Sequence, residues 1–536
     1  MNNADVEKLE ELQQQTPIVA EGHSKLKERF RKKIVGFHTV EDAAMAALDL
    51  HLVPVLERML EFTNAAGLRE HGRLWQPFGT TVEVIKLETM RSFVGVMLYM
   101  GLNPQSAYDN YWTQQRGFPK FIDLTDAWSR NRFWKMLSYL RIHDGTAEGA
   151  DKFLDLSRVY NDTILKHWDL GLWRSFDEAC FRNKGRCSLR VRLTSFKPSM
   201  SYGIIVRSMN CPRSGLFLAI FVSGKVVDAS SPAAQRYLEE LLEKNRKHRI
   251  VVVADRGYGS VKLAKWALSL SPPVHIVATV RSNRTAKQLG EGLPTADGFN
   301  KPYPKRQARG TTEVRVQEVV DSEGETIPLT VTKLNDNTTV WFVETNRLGG
   351  RQGEIHRRIE TEDGFVRAPL EFPEVGLHYN RHKGGTDLGD QMINSTLLDH
   401  RCNRYTMRYV PWLWQVVSYA GYCAFKEAVS AREETEEYGR IPRSFEEYKR
   451  IVMLQLLDTV DSQGRGNDTT FKASTEGGGK KCTNCIPIKA ELGLRRKCRN
   501  GACTGKTAFH CLNCNVYGCL VPKEGDCVPC LSKLHL

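Results

Sequence analysis

The stretch RIVVVAD at 249–255 constrains the fold of this chain more than any other. A half-solvated strand alternates apolar and polar residues, and this run does not. An unbroken β-branched run suits a strand covered on both faces, as in a parallel sheet flanked by helices. The run ends on a carboxylate, Asp255. In open α/β sheets, functional groups gather at strand carboxyl ends.

The neighbouring segments extend that reading. WRSFDEACF, SYGIIVRSM and LFLAIFV read as strands, with NCPRSG at 210–215 as the turn between the last two. Ser231 and Pro232 supply a cap and a first-turn proline for the helix that follows. SVKLAKWALSL reads as a helix and VHIVATV as a strand. The order is three strands, helix, strand, helix, strand. An antiparallel meander leading into parallel α/β units predicts a ribonuclease-H-like core within a multidomain α/β chain.

With 536 residues the chain has room for about three to five domains. Residues 1–39 are polar and read as partly disordered. Within them KLKERFRKK at 25–33 is either a solvated helix face or a patch for nuclear import or DNA contact. Residues 40–172 show three- and four-residue apolar spacing, with Gly67 and Gly101 where helices should stop. The core then occupies 173–284. Residues 285–375 read as an inserted β-rich domain, with strands at TTEVRVQEV, TIPLTVTKL and TTVWFVETN. The core resumes over 376–403, helices return over 404–460, and 461–480 has linker composition.

The tail, 481–536, holds nine of the 14 cysteines: Cys482, Cys485, Cys498, Cys503, Cys511, Cys514, Cys519, Cys527 and Cys530. Reduced thiols in Cys-x-x-Cys pairs read as zinc ligands, four to a site, so two zinc ions are expected. A segment this short and poor in large apolar residues needs such a staple. Nine cysteines exceed eight ligands, and His510 and His535 are further candidates, so the ligand set stays open.

Charge points to the partner. Lys plus Arg is 76 against 62 for Asp plus Glu, and the stretch 471–536 alone carries 11 basic and 4 acidic residues. A basic surplus suits a polyanion such as double-stranded DNA. Arg495, Arg496 and Lys497 lie between the cysteine pairs. No stretch of 18 apolar residues occurs, so no membrane span is expected. The polar start does not read as a secretory signal, which places the chain inside the cell. No Gly-x4-Gly-Lys-Ser/Thr loop is present, so no nucleotide cofactor is expected.

Asp177 lies in the first strand of the core and Asp255 ends the buried one. Asp387 and Asp390 stand at i and i+3 in GGTDLGDQM, which puts both on one helical face. Carboxylates converging from different elements can hold a pair of divalent ions roughly 3.5–4 Å apart, and magnesium prefers carboxylate, water and phosphate oxygens. Strand alternation points Glu178 away from Asp177. Cys180 and Cys187 have no partnering histidine placed by a motif and read as inert thiols.

These residues carry a resemblance. FDEACFRNKGRCSLRVRLTSFKPSMSYGI, ADRGYGSVKLAKWAL with VATVRSNR, and YNRHKGGTDLGDQM resemble, in order, three catalytic segments of piggyBac-type transposases. GLNPQSAYDNYW and SRNRFWKMLSYLRIHD fit upstream, so the resemblance covers nearly the whole chain. It implies a cut-and-paste DNA transposase in which Asp177, Asp255 and Asp387 hold two magnesium ions and Asp390 is a fourth acidic residue. It also implies hairpin intermediates, joining at TTAA, a nuclear location, and a homodimer. The split helical domain would serve dimerisation and DNA binding, and the finger would read the transposon ends. Arg186, Lys197, Arg281, Arg284 and Lys383 match positions that would contact phosphate. Three positions depart from the family: Arg256, Tyr258 and Tyr409. A chain that kept this fold but lost cleavage would be a silent DNA- or chromatin-binding protein; the intact Asp177, Asp255 and Asp387 argue against that.

Overall fold

The run at 250–254 becomes a fully buried strand in the middle of a nine-stranded mixed sheet. The computed structural model describes residues 11, 14–71, 85–113, 124–193, 201–223, 232–242, 248–282, 298–361, 364–398, 400, 404–430 and 438–458, with short pieces at 487–489, 496–497, 506–507 and 509–511. These fall into two units: residues 1–106 with 131–460, and residues 107–130 with 461–536.

In the first unit a two-rung ribbon pairs β1 (Lys25–Leu26) with β2 (Trp168–Asp169). The sheet proper begins with β3 (Trp173–Arg182), β4 (Val191–Arg192), β5 (Tyr202–Asn210) and β6 (Phe217–Val222). β5 is antiparallel to β3, β4 and β6. Then β7 (Ile250–Ala254) lies parallel to β3, and β8 (Val274–Val280) lies parallel to β7. Alternation sorts the two faces of these strands. Phe176, Val252, Ala254, Ile276 and Ala278 pack with Leu238, Leu241, Val261 and Ala264, which come from two covering helices. Trp173, Val251, Val253 and Val277 pack on the other face with Val375, Tyr379 and Val19.

The region read as a separate β insertion is continuous with this sheet. β9 (Thr312–Val320), β10 (Thr326–Asn335) and β11 (Thr339–Glu344) form a meander, and β11 pairs antiparallel with the edge of β8. The reason is physical: β8 offers a free edge, and an apolar strand such as β11 satisfies it. Only the hairpin of β12 (Gln352–Thr361) and β13 (Gly364–Pro373) pairs with itself alone.

Helices of this unit, besides Arg130–Tyr139 at its border, include α1 (Glu28–Val35), α2 (Val40–His71), α3 (Leu87–Leu102), α4 (Leu154–His167), α5 (Pro232–Leu242), α6 (Val261–Leu268), α7 (Glu374–His382), α8 (Gly385–Asn394), α9 (Tyr409–Val429) and α10 (Phe445–Asp458). α2 runs through Gly67, contrary to the expected stop. An interior glycine costs only about 1 kcal/mol of helix propensity, which flanking buried residues override. α9 and α10 return to the N-terminal helices: Tyr448 Oη donates to Ala44 O at 3.0 Å, and the Phe93 and Trp414 rings meet edge-on at 6.0 Å. Among the described residues no helix is long and apolar enough to cross a membrane.

In the second unit Trp112 Nε1 donates to Trp128 O at 2.6 Å and Arg130 pairs with Asp109 at 2.6 Å. Its C-terminal part shows two short ribbons. β14 (Pro487–Lys489) pairs with β17 (Phe509–Cys511), and β15 (Arg496–Lys497) pairs with β16 (Lys506–Thr507).

Candidate active site

Asp177 and Asp255 meet because of register. The last rung between the parallel strands is Phe176↔Ala254, so the next residue of each strand is a carboxylate. Asp255 then turns the chain. Its Oδ1 accepts the Gly257 N–H at 2.7 Å, and its carbonyl accepts the Tyr258 and Gly259 N–H groups at 3.0 and 2.9 Å.

Asp387 arrives on α8, which docks on the same strand. Ser175 Oγ donates to Lys383 O at 2.8 Å and accepts the Thr386 N–H at 3.4 Å. Thr386 Oγ1 donates to Asn210 Oδ1 at 3.0 Å. The approach is close enough to require glycine: a Cβ on Gly385 would stand 2.9 Å from Ser175 Cβ, and one on Gly389 would stand 2.5 Å from Gly215 O. Ser175 and Asp177 share one face of β3, so α8 brings Asp387 to the face that presents Asp177.

Asp387 and Asp390 differ in their surroundings. Asp387 is exposed, while Asp390 is 7% exposed and its Oδ1 accepts from Asn394 Nδ2 at 2.9 Å. At i and i+3 the side chains diverge by about 60° around the axis, enough to turn one into the docking face. Asp390 thus also bonds Asn394, the last residue of its own helix.

Glu178 points, as alternation has it, to the face of Phe176 and Tyr258, yet it bears on both aspartates. It lies within side-chain hydrogen-bonding reach of Asp177 and also acts on Asp255. β7 ends at Ala254, so beyond it β3 is flanked on one side only, by β5, and Glu178 can act on both aspartates around that open edge. The Glu178 carboxylate pairs with Arg207 directly across β5, a fully buried guanidinium, and accepts the Tyr258 hydroxyl. The Arg207 guanidinium also lies 5.1 Å from the Tyr258 ring centroid.

Three carboxylates crowd this edge, and their protonation shows it. Burial, then the proton-sharing contact and charge of Glu178 and the charge of Asp255, hold Asp177 well above the usual carboxylate range. Burial and Glu178 also raise Asp255, while the Gly257 N–H and the charges of Arg256 and Arg281 pull it back. Tyr379, on α7, faces the same place: burial pushes its hydroxyl up to about 12, and Asp255 and Asp177 add to this. Thr279 Oγ1 donates to the Tyr379 oxygen at 3.3 Å, and Lys383 Nζ sits 5.1 Å from its ring centroid.

Of the expected phosphate contacts, Arg281 and Lys383 are thus beside the acidic centre and exposed. Arg186 is exposed in the loop after β3. Lys197, Arg284 and Arg495 lie outside the described residues, as do Cys482, Cys485, Cys498, Cys503, Cys514, Cys519, Cys527 and Cys530. Arg496 and Lys497 form β15, and Cys511 ends β17. Cys180 is buried with Leu193 and Ile205, while Cys187 accepts from Asn183 Nδ2 at 3.2 Å. Sequence reasoning missed Glu178, Arg207 and Tyr379 as members of this centre. A charged residue inside an otherwise apolar strand, as Arg207 is in GIIVRSM, was the available signal.

An acidic centre of this build, on the edge of a mixed sheet and ringed by cations, is suited to catalysis on phosphate esters. The family model described as Transposase IS4 matches residues 53–422, and the chain belongs to that family. It is a DNA transposase of the cut-and-paste type, and the family implies use of a divalent cation. Among solved structures it resembles the cryo-EM structure of a piggyBac transposase synaptic complex with hairpin DNA. The two are 17% identical, with 83% of this chain and 85% of that one covered at a TM-score of 0.59, which establishes a common fold. No curated protein sequence matches.

The donor set fits a hard cation. Aspartate oxygens in a crowded, part-buried cluster are what magnesium accepts, and a cation would offset the like-charge repulsion that raises Asp177 and Asp255. As they stand, the carboxylates of Asp177, Asp255 and Asp387 do not form a set with ligand atoms all within 4.8 Å of one another.

Proposed function

We propose that Asp177, Asp255 and Asp387 hold two magnesium ions and that the chain nicks transposon ends, passes through hairpins and joins the element at TTAA. The observation that carries this is the register of β3 and β7, which sets Asp177 beside Asp255, with α8 docked on the same strand. The order β6–β5–β3–β7–β8, antiparallel then parallel, supports a ribonuclease-H-like core. Magnesium bound there would neutralise phosphate charge and sharpen the attacking oxygen nucleophile. Arg256, Arg281 and Lys383 stand close enough to steady a phosphodiester, and no protein nucleophile is required.

The chain binds double-stranded DNA at terminal repeats and works as a homodimer in the nucleus. The helices of 40–172 and 404–460 serve as one split domain for dimerisation and DNA contact; the packing of α9 and α10 on α2 and α3 supports this. The tail binds two zinc ions through its cysteines and reads the ends with Arg495, Arg496 and Lys497. The test is cleavage of end-repeat DNA by the purified chain with magnesium, beside Asp177→Asn, Asp255→Asn and Asp387→Asn. Each variant should lose nicking while keeping DNA affinity. Full cleavage by any of them would remove that residue from the metal site.

A further inference from the structure

We propose that Glu21, His378 and His382 form a structural site for a zinc-class transition metal, which staples the N-terminal segment to the helix bearing Tyr379. Their ligand atoms all lie within 4.8 Å of one another, and no other set of three such residues does so among the described residues. His378 and His382 stand at i and i+4 on α7, so one helical face presents both rings. The rings are nearly parallel, at 9°, and the Trp173 indole stacks on both, with centroids 5.2 and 4.3 Å away. The imidazoles are therefore held in place before any ion arrives.

The nitrogens are assigned by their partners. His382 Nδ1 lies 2.8 Å from the His378 carbonyl, which can only accept, so Nδ1 carries the proton and Nε2 keeps a lone pair. A metal-binding histidine is commonly oriented by such an outer hydrogen bond. His378 Nδ1 is buried with no hydrogen-bond partner. Both nitrogens approach one carboxylate oxygen: Glu21 Oε1 is 3.4 Å from His378 Nδ1 and 3.9 Å from His382 Nε2. Bonds of about 2.0–2.1 Å in a tetrahedron space ligand atoms roughly 3.3–3.4 Å apart; of the three edges Glu21–His378 already fits, Glu21–His382 needs a small inward shift, and the edge between the two imidazoles lies within 4.8 Å.

Two imidazoles and one carboxylate favour zinc over magnesium, which takes oxygen ligands. Arg381 Nη1 donates to the same Glu21 oxygen at 2.5 Å. A carboxylate oxygen has more than one lone pair, so this bond can persist as an outer contact to a metal ligand. Glu21 is 40% exposed, which leaves an entry path and room for water as a fourth ligand. The segment is already tied nearby, where Val19 N–H donates to Asn346 Oδ1 at 2.8 Å. The same helix carries Tyr379 toward Asp177 and Asp255, so the staple would fix that edge of the acidic centre.

The experiment uses the full chain, stripped by chelator and titrated with cobalt(II). Cobalt on tail cysteines gives thiolate charge-transfer absorption in the near ultraviolet. Cobalt on Glu21, His378 and His382 gives visible ligand-field bands without it, so the two sites are read apart. Wild type should bind one equivalent more than His378→Gln or Glu21→Ala, with the thiolate band equal in all three. Zinc content should fall by one per chain in the same variants. Glu21→Ala alters an exposed side chain, so it decides the matter if His378→Gln fails to fold. Equal stoichiometry and equal visible spectra in wild type and Glu21→Ala would overturn the proposal, whatever the tail binds.

Discussion

Asp255 illustrates a conflict at the scale of single residues. Burial and the charge of Glu178 both disfavour its ionised form, so the cation-free protein is less stable for carrying it. Asp255→Asn should therefore raise the melting temperature of the chelator-treated protein, by about 1 kcal/mol of stability, while abolishing nicking. A lower melting temperature would mean that the aspartate is held by its Gly257 contact more than it is repelled. Glu178→Gln should act in the opposite direction. It leaves the buried Arg207 guanidinium uncompensated, which costs on the order of 3 kcal/mol in urea unfolding, reduced here because Glu178 is 32% exposed. The three aspartates were legible as motif positions in the sequence. Glu178 was not, because alternation sets it on the other face and does not show that, past the end of β7, its carboxylate still acts on Asp177 and Asp255.

Elements rather than residues set where Asp387 goes. A methyl on Gly389 would meet the Gly215 carbonyl, which is backbone and cannot rotate aside. Gly389→Ala should cost about 1–3 kcal/mol as overpacking, and should reduce cleavage more than stability accounts for, by displacing α8. Cleavage assayed well below the variant's melting point separates the two effects. A second junction ties α2 to β2. His51 Nδ1 bonds the Ala47 carbonyl at 3.1 Å, and its Nε2 accepts the Trp168 indole N–H at 3.0 Å, so both nitrogens are satisfied only in the neutral ring. Burial lowers its pKa to about 4. A depressed pKa on a base stabilises the fold above the unfolded value near 6.5, and this is lost as pH falls from there through about 4. We expect the melting temperature to drop across that window, and His51→Leu to flatten the drop. The core strands β6, β7 and β8 were readable because each is an apolar run. The β12–β13 hairpin and α7 were not, since QGEIHRRIETEDGFVRAPLEFP and EVGLHYNRH mix charge with apolar residues at no clear period.

At the scale of the whole molecule, the basic surplus should appear as salt dependence. DNA affinity should fall on a log–log plot with a slope of about −0.9 per phosphate contacted, and a flat response would argue for a protein partner instead. Deleting residues 480–536 should leave a folded chain that has lost preference for end repeats, checked by competition against random DNA. The composition of that tail, nine cysteines and a run of basic residues, was its legible part; the ligand pairing was not, because spacing allows more than one partition.

The pairing of β8 shields the catalytic strands. This strand is hydrogen-bonded on both edges, to β7 and to β11, so its amides have no side open to solvent. In deuterium exchange, Val277 and Ala278 should be among the slowest to label, matching the global unfolding free energy. The meander of β9 to β11 then acts as a guard on the catalytic strands rather than an appendage. Removing it would let the interior of the sheet breathe, and labelling would spread first into β8 and then into β7.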